Sequence, residues 1–267
     1  MAEVEYSIDF TIQDLIDLKA HFGHKKGALN PKMRDYVFGT KNGISIIDIR
    51  RTYLDAIRAL KICYNYGKMN KKVLFVGTAP QTSLIIKEGA ESCNQFYVTD
   101  RWLGGILTNW YTVSKSIKTL ISYNKILEDT ESGLSKKEIL SVTKNRDKLM
   151  SCFGGLMNLR GRPDLVVVFN STVDYLAIKE AKAIGIPVIA LLDTNADIKV
   201  DFPIVANNCN ANVISFFCKE VVKAITLGMQ QNMKNSGVDI SSLMKNKKEN
   251  SVNNENKDDT EEINDEQ

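Results

Sequence analysis

Five short apolar segments, separated by stretches with helical patterning, constrain the fold of this 267-residue chain most strongly. Such runs, with few polar positions, are typical of strands that are buried on both faces of a sheet. The segments are VLFVG (73–77), FYVT (96–99), LVVVF (165–169), VIALL (188–192) and FPIV (202–205), and the helical stretches between and after them are 80–93, 171–184 and 211–229. This alternation predicts an α/β fold with a parallel sheet flanked by helices and with right-handed crossovers.

The residues before the first of these strands predict smaller elements. IDLKAHF closes a short N-terminal helix, and YVFGTKNGISIID predicts a hairpin around Asn42-Gly43. Asn-Gly is the dipeptide that a tight hairpin turn favours. A long helix is then expected from about Asp48 to Tyr66.

The interval between FYVT and LVVVF is too long for a simple crossover, which needs about a dozen residues. It holds more than 60 residues, in which apolar positions step by three or four. The positions on this spacing, apolar except at Asn124 and Arg146, are Leu107, Trp110, Val113, Ile117, Leu120, Asn124 and Leu127, and then Ile139, Val142, Arg146, Leu149, Phe153 and Leu156. With a capping box at Ser135 and Glu138, the pattern predicts an inserted antiparallel, coiled-coil-like helical hairpin. Two ordinary surface helices are the alternative.

These elements divide the chain into three regions. Residues 1–105 and 158–233 form the α/β body, 106–157 the inserted hairpin, and 234–267 a tail. The tail has no aromatic residue and is dominated by Asn, Lys, Glu and Asp. Such a composition buries too little apolar surface to offset the entropy of ordering, so we expect the tail to be disordered.

The net charge of +3 conceals an asymmetry. Residues 241–267 carry four Lys and eight acids, a net of −4, which leaves +7 for residues 1–240. A basic body indicates a polyanionic partner.

Several classes of protein are disfavoured. No apolar run approaches 18 residues, and the N-terminus lacks the pattern of a signal or transit peptide, so we expect a cytoplasmic protein with no membrane partner. The five scattered cysteines include no Cys-x-x-Cys, which favours reduced thiols over a zinc finger. GTAPQTS (77–83) lacks both a G-x-G-x-x-G fingerprint and a following Walker lysine. We therefore expect no enzyme, no cofactor and no small-molecule substrate.

One alternative keeps an enzyme possible. Asp193 and Asp197 follow the strand VIALL, and two carboxylates at a strand end could hold Mg²⁺ in a nucleotide- or metal-using enzyme. Asp and Asn are equally good turn formers, so a plain turn is the other interpretation.

The most basic segment of the body is residues 19–41, with six cations and one acid, a net of +5. Glycines that allow close backbone approach, and cations without nearby acids, are suited to contacts with phosphates. His21 and His24 could share a helical face and bind a metal, but no third ligand is near in sequence. A solvated charged surface is the remaining interpretation.

Two further segments suit a phosphate-rich partner. DRWLGGILTNW (100–110) places Arg101 and Trp102 at a strand end, where the tryptophan either stacks on a base or locks the root of the hairpin onto the sheet. NLRGRP (158–163) returns the chain from the hairpin to the sheet. Because the two hairpin ends must be close, we expect Arg101, Arg160 and Arg162 to cluster.

Taken together, these motifs resemble one family. HFGHKKG and LNPKM, ISIIDIRRT, VLFVGTAPQTS, FYVTDRWLGGILTNW and PDLVVVFNSTVDYLAIKEAKAIGIPVIALLDTN occur in the order seen in the bacterial-type ribosomal protein S-two family, over about residues 8–230. The resemblance implies a Rossmann-like domain with flavodoxin-type strand order and a long inserted helical hairpin. It also implies a non-enzymatic constituent of the bacterial small ribosomal subunit.

The partners that the resemblance implies are small-subunit rRNA and neighbouring ribosomal proteins, including the mRNA-binding protein S-one, whose docking such proteins support. The candidate rRNA-binding residues combine those carried over from the family motifs with the basic residues identified above. They are His21, Gly23, His24, Lys25, Lys26, Asn30, Lys32, Arg34, Arg101, Trp102, Asn109, Arg160 and Arg162. We expect no catalytic residue and no metal ligand among them.

The chain departs from the family pattern at two places. Ala28-Leu29 stands where relatives often have arginine or tryptophan, which removes a stacking contact, and Asn208-Cys209 stands where an acidic pair is usual. A third interpretation of function remains beside RNA binding and catalysis, namely a scaffold whose hairpin pairs with another protein.

Overall fold

The computed structural model of the protein describes residues 8–128, 135–197 and 200–235. The strands are β1 (Phe22–Lys25), β2 (Val37–Lys41), β3 (Ile44–Ile47), β4 (Val73–Val76), β5 (Phe96–Val98), β6 (Leu165–Val168), β7 (Val188–Leu192) and β8 (Phe202–Val205). The α-helices are α1 (Ile12–Asp17), α2 (Ile49–Lys68), α3 (Ser83–Ser92), α4 (Trp110–Glu128), α5 (Lys136–Phe153), α6 (Tyr175–Ala183) and α7 (Ala211–Asn235). No helix within these residues is long and apolar enough to cross a lipid bilayer.

Five strands form the central sheet in the order β5-β4-β6-β7-β8, and every neighbouring pair is parallel. This is the flavodoxin-type order, in which the chain reverses direction across the sheet between β4 and β6. The predicted α/β class and parallel sheet are therefore confirmed. All five predicted strands are present, and none of their boundaries differs from the prediction by more than one residue.

The sheet is buried on both faces, which explains why its strands have no polar alternation. In β4, Val73 and Phe75 point to one core, while Leu74 and Val76 point to the other. The first core is covered by α1, α2, α3 and α7. The second is covered by α6 and by the roots of α4 and α5, so the inserted helices are joined to the body by apolar packing.

A second, three-stranded antiparallel sheet in the order β1-β3-β2 lies near the N-terminus. Its β2–β3 hairpin turns at Asn42 and Gly43, both with positive φ, as predicted. Strand β1 was not predicted. The predicted N-terminal helix is also shorter than expected, because α1 ends at Asp17 and Lys19 adopts a φ of 61°.

Helices α4 and α5 occupy the predicted hairpin interval and pack against each other. The predicted capping box is present, since Ser135 and Glu138 bond to each other's backbone N–H groups. We call α4 and α5 together the helical hairpin. The predicted break between them falls largely on residues 129–134, which lie outside the described part of the chain.

Helices α2 and α7 make the tightest helix contact. A Cβ on Gly67 would lie 2.3 Å from the carbonyl oxygen of Ile225, and one on Gly228 would lie 2.2 Å from that of Tyr64. The two backbones therefore touch at a point where only glycine fits. Helix α7 continues to Asn235, past its predicted end at 229 and through the first two residues of the predicted tail, and the rest of that tail is outside the described residues.

Candidate RNA interface

The basic N-terminal segment lies at the carboxyl ends of the central strands. Strand β1 crosses the end of β7, where the His24 backbone N–H donates to Thr194 Oγ1 at 2.9 Å. The Asn30 N–H donates to the Thr194 carbonyl, also at 2.9 Å. A Cβ on Gly23 would lie 2.5 Å from Thr194 Cγ2, so this glycine is required for internal packing. Its predicted role in approaching a phosphate has no support from this geometry.

All six cations of this segment are exposed to solvent, and four of them are predicted RNA-binding residues, namely Lys25, Lys26, Lys32 and Arg34. Lys32 pairs with the exposed Asp197 at 2.5 Å, and this contact holds the pKa of that carboxyl below its usual value. Lys25, Lys26 and Arg34 form no ion pair with any residue in the described ranges, so no described acid neutralises their charge.

Arg101 lies at the same edge of the sheet. It follows β5, is exposed and has no ion pair within the described part of the chain. Since β5 and β7 are three strands apart, Arg101 lies laterally about 14 Å from the end of β7. We call Lys25, Lys26, Lys32, Arg34 and Arg101 the carboxyl-edge surface.

Arg160 and Arg162 do not join this surface, so the predicted cluster of three arginines is wrong. The Arg160 carbonyl accepts from Lys72 Nζ, and Lys72 immediately precedes β4. Both arginines are exposed and lie at the amino ends of the strands. Four-residue strands separate the two edges by at least about 10 Å. We call Arg160 and Arg162 the amino-edge surface.

Trp102 locks the root of the hairpin, which resolves the two alternatives left by the sequence. Its side chain is only 8% exposed, so no ring face is available to a base. Its indole N–H donates to Glu180 Oε1 at 3.2 Å. The prediction that Trp102 contacts RNA directly is therefore wrong.

Glu180, on α6, was not identified from the sequence. Besides Trp102, its carboxylate accepts from the backbone N–H groups of Gly105 (2.7 Å), Leu107 (3.0 Å) and Thr108 (3.3 Å), and from the Thr108 hydroxyl. Burial alone would raise the pKa of Glu180, but these bonds outweigh it and lower the pKa. One carboxylate thus holds the segment that leads into α4.

The two histidines have separate environments. His21 stacks at a tilt on Phe22 with 4.2 Å between ring centroids. Its Nδ1 is buried and has no hydrogen bond from the described part of the chain, and burial lowers the pKa of the imidazole. His24 Nδ1 lies 3.1 Å from Oδ2 of the buried Asp193 and forms no hydrogen bond with a described residue. The two rings therefore share no metal site.

His24 has a different potential set of ligands. Its Nε2 is 3.7 Å from Cys209 Sγ, and one ligand atom each from His24, Asp193 and Cys209 lies within 4.8 Å of the others. Imidazole, carboxylate and thiolate are ligands that Zn²⁺ accepts, so these three side chains could hold such an ion. Sequence reasoning missed this set because Cys209 is 185 residues from His24.

The polar groups at the strand ends do not form a catalytic site. Asp193 is 1% exposed and accepts from the backbone N–H and hydroxyl of Thr194, whereas Asp197 is exposed and paired with Lys32. The buried Asp174 accepts from both the N–H and the hydroxyl of Thr78, and its burial raises its pKa. Internal bonds thus occupy the strand ends where a cofactor would bind in an enzyme of this fold.

The remaining predicted residues have mixed environments. The Asn30 side chain accepts from the Lys32 N–H, which caps the turn at Pro31–Tyr36. Asn109 is exposed at the start of α4 and accepts from the Thr112 hydroxyl. Asn30 therefore orders the basic loop, while Asn109 remains accessible to a partner.

Comparison with known proteins identifies the family. The family profile described as Ribosomal protein S2 matches residues 15–228. Proteins named small ribosomal subunit protein uS2 are 42% identical over 235 residues in Ehrlichia canis, covering 88% of this chain and 81% of the relative. In Anaplasma phagocytophilum the identity is 40% over 247 residues, covering 91% and 83%. In Rickettsia bellii it is 42% over 235 residues, covering 87% and 81%.

Because the family match and these relatives span most of the chain, the predicted resemblance is confirmed and the alternative of an enzyme using Asp193 and Asp197 is overturned. The chain belongs to the ribosomal protein S2 family and is a non-enzymatic structural constituent of the ribosome.

Proposed function

We propose that the protein binds small-subunit rRNA mainly through the carboxyl-edge surface. The observation that carries the proposal is the group of five exposed cations at one edge of the sheet, four of them without an ion pair among the described residues. Lysine and arginine bind phosphates by releasing condensed counterions, and this term supplies much of the affinity for nucleic acids. Asn109 follows Arg101 in the sequence, and its exposed side chain can contact the same RNA.

Most of the other predicted residues support this interface indirectly, by holding its segments in place. Gly23, His24 and Asn30 hold the basic loop against Thr194, and Trp102 fixes the segment that follows Arg101. His21 faces an apolar groove instead of the loop. The amino-edge surface is the second proposed contact, because Arg160 and Arg162 also lack ion pairs among the described residues.

Titration of small-subunit rRNA with full-length protein in a filter-binding assay tests the main contact. If the six cations of residues 19–41 each neutralise one phosphate, the logarithm of the affinity falls with the logarithm of salt with a slope of about −5. The variant K25Q/K26Q/R34Q should bind more weakly and flatten this slope by about 2 to 3. A slope near zero for the unaltered protein would refute RNA binding through this surface.

The control variant is K87Q/K182Q/K219Q, which removes the same charge from exposed lysines on α3, α6 and α7. It should leave the slope within about 1 of the unaltered protein. Equal losses in both variants would mean that net charge, and not the carboxyl-edge surface, sets the affinity.

As the second part of this proposal, we propose that the mRNA-binding protein S-one docks on an exposed apolar groove of the protein. An apolar groove of about 540 Å³ is lined by Ile12, Ile16, His21 and Phe38 among others. Phe38 is 83% exposed. Large exposed aromatic side chains in an apolar groove are typical of protein interaction sites.

The substitution Phe38→Ala tests the docking surface without disturbing the core. It should weaken binding of S-one by roughly tenfold or more, as expected for an aromatic anchor, and leave the affinity for rRNA unchanged. Leu54→Ala, at a 54% exposed leucine on α2, is the matched control and should alter neither. If F38A and L54A bind S-one equally, S-one docks elsewhere.

A further inference from the structure

The last described helix brings the chain to the amino edge of the central sheet. Helix α7 begins after the carboxyl end of β8 and is 25 residues long, which corresponds to about 37 Å. A Cβ on Gly228 would lie 2.7 Å from the backbone nitrogen of Lys68, the last residue of α2. Because α2 leads into β4, this contact lies near the amino end of β4. The chain therefore leaves α7 at Asn235 close to the amino edge.

The amino edge carries a group of cations. Arg160 and Arg162, the amino-edge surface, are exposed, and Lys71 and Lys72 immediately precede β4. Lys72 Nζ donates to the Arg160 carbonyl, which places the lysines beside the arginines. Among the described residues, Asp164 alone pairs with one of these four cations, at 3.3 Å from Lys71 Nζ. The positive charge of both arginines is thus available to a partner.

Two other acids at this edge bond to different groups. Glu91, near the end of α3, accepts from the Tyr97 hydroxyl at 2.8 Å. Asp201 accepts from the Val188 N–H at 2.9 Å, at the start of β7. Neither pairs with a cation in the described ranges, so neither occupies the amino-edge surface.

The sequence beyond the described residues contains a group of opposite charge. Residues 258–266, DDTEEINDE, hold six acids and no cation. We call them the acidic segment. Its charge of −6 leaves +9 for the rest of the chain, whose net charge is +3 in total. The acidic segment and the amino-edge surface are therefore complementary in charge.

The acidic segment can reach the amino-edge surface. Asn235 and Asp258 are 23 residues apart, and an extended chain of this length spans as much as about 75 Å. The path from Asn235 through Gly228, Lys68 and Lys72 to Arg160 is at most about 40 Å, from the helical rise and the length of the connecting chain. The carboxyl-edge surface lies at the other end of α7, so the amino-edge surface is the first basic surface beside the emerging chain.

We propose that the acidic segment binds the amino-edge surface, so that the protein contains its own competitor for the phosphates of RNA. Carboxylates form the same bidentate pairs with guanidinium groups as phosphates do. Such exposed pairs are individually weak and are screened by salt, but the covalent connection raises the effective concentration of the segment to about millimolar. The contact itself does not depend on RNA binding, whereas its effect on RNA affinity rests on the proposed function.

Carbodiimide cross-linking of the full-length protein without RNA tests the contact directly, since this reagent joins a carboxylate to a neighbouring amine. Peptide mass spectrometry should find the acidic segment joined to Lys71 or Lys72 within one molecule. These cross-links should disappear at about 1 M salt, where the Debye length is about 3 Å. The pair of Lys71 with Asp164 is the internal control, because the fold itself brings it together.

Two cross-linking results would overturn the proposal. Cross-links from the acidic segment to Lys25, Lys26 or Lys32 would place it on the carboxyl-edge surface instead. Detection of the control cross-link without any intramolecular cross-link from the segment would show that it binds neither surface.

A double-mutant cycle measures the effect on RNA binding. The variant D258N/D259N/E261Q/E262Q/D265N/E266Q should bind small-subunit rRNA roughly two- to tenfold more tightly than the unaltered protein at low salt, because its tail no longer competes. In the background R160Q/R162Q, the same six changes should bring no gain.

The outcomes of the cycle separate competition from simple repulsion. An equal gain in both backgrounds would mean that the acids repel RNA without binding the arginines, and the absence of a gain in either background would exclude competition. Both results overturn the proposal. If the unaltered protein does not bind the rRNA, the proposed function fails, and the cross-links still decide whether the acidic segment binds the amino-edge surface.

Discussion

At the scale of single residues, Gly23 and Thr194 show how internal packing decides a position that sequence motifs had linked to the ligand. The glycine lies where β1 crosses the end of β7, with no space for a methyl group beside the threonine side chain. The contact joins segments about 170 residues apart, as does the neighbouring bond from His24 to Thr194. No local pattern in the sequence could indicate it.

Gly23→Ala should therefore destabilise the protein, whereas Gly27→Ala should not. A Cβ on Gly23 would meet Thr194 Oγ1 at 2.7 Å, but one on Gly27 would have nothing within 4 Å. Overpacking of this kind costs about 1–3 kcal/mol in the free energy of unfolding. Urea denaturation of the two variants measures the difference, and equal stabilities would show that the β1–β7 crossing relaxes without cost.

At the scale of elements, the strands were predictable and the ends of helices less so. Strands β4 to β8 are continuous apolar runs bounded by polar residues, so their limits are visible in the sequence. Helix α7 exceeds its predicted end by six residues because Gln230–Asn235 is mostly polar and lacks the apolar repeat. Strand β1 has only four residues, one of them glycine, which is too short for a pattern.

The root of the hairpin depends on hydrogen bonds to the Glu180 carboxylate. The sequence does not indicate these bonds, because most of their donors are backbone N–H groups. Glu180→Ala would leave the N–H groups of Gly105, Leu107 and Thr108 without their acceptor. We expect the free energy of unfolding to fall by about 2 kcal/mol. Amide hydrogen exchange should accelerate at these three residues. Glu88→Ala, at an exposed glutamate on α3, is the control and should affect neither measurement.

The same contact gives a pH dependence. The pKa of Glu180 is lower in the folded protein than its ordinary value of about 4.5, so the folded state loses the proton more readily than the unfolded chain does. Its stabilising effect is complete above about pH 4.5 and disappears as the pH falls through the folded-state pKa. Glu180→Gln should remove this part of the acid sensitivity. Parallel acid denaturation curves for the two proteins would contradict the assignment.

The capping box of α5 permits a third prediction for an element. Ser135 accepts from the Glu138 N–H, and Glu138 accepts from the Ser135 N–H and hydroxyl. Ser135→Ala should cost about 1 kcal/mol and fray the start of α5, which circular dichroism on heating would detect. Ser141→Ala, within the same helix, should be neutral or slightly stabilising because alanine is the better helix former.

At the scale of the whole molecule, the predicted arrangement of the three arginines is wrong. Both hairpin ends do meet the body, yet the entering segment passes under α6 while the returning one continues to the start of β6. Placing Arg101 and Arg160 on one surface required the path of each segment, and apolar periodicity contains no information about it.

The two edges of the sheet should therefore contact different parts of the rRNA. R160Q/R162Q should flatten the salt slope by about 1 to 2 and remove protections other than those lost in K25Q/K26Q/R34Q. Chemical footprinting of the two variants on the same rRNA decides the matter. Loss of one shared set of protections would place both surfaces on a single RNA element.

The contact of α2 with α7 has a consequence for the synthesis of the protein. Gly67 belongs to the first third of the chain and Gly228 to the last described helix, and the backbones of α2 and α7 touch at these glycines. Strand β8, which completes one edge of the sheet, is also made late and packs on α2. During translation, the apolar side of α2 that packs on α7 therefore stays exposed until about residue 228 has left the exit tunnel. Contacts this distant along the chain close slowly, so nascent chains halted before that point should be prone to aggregate or to recruit chaperones.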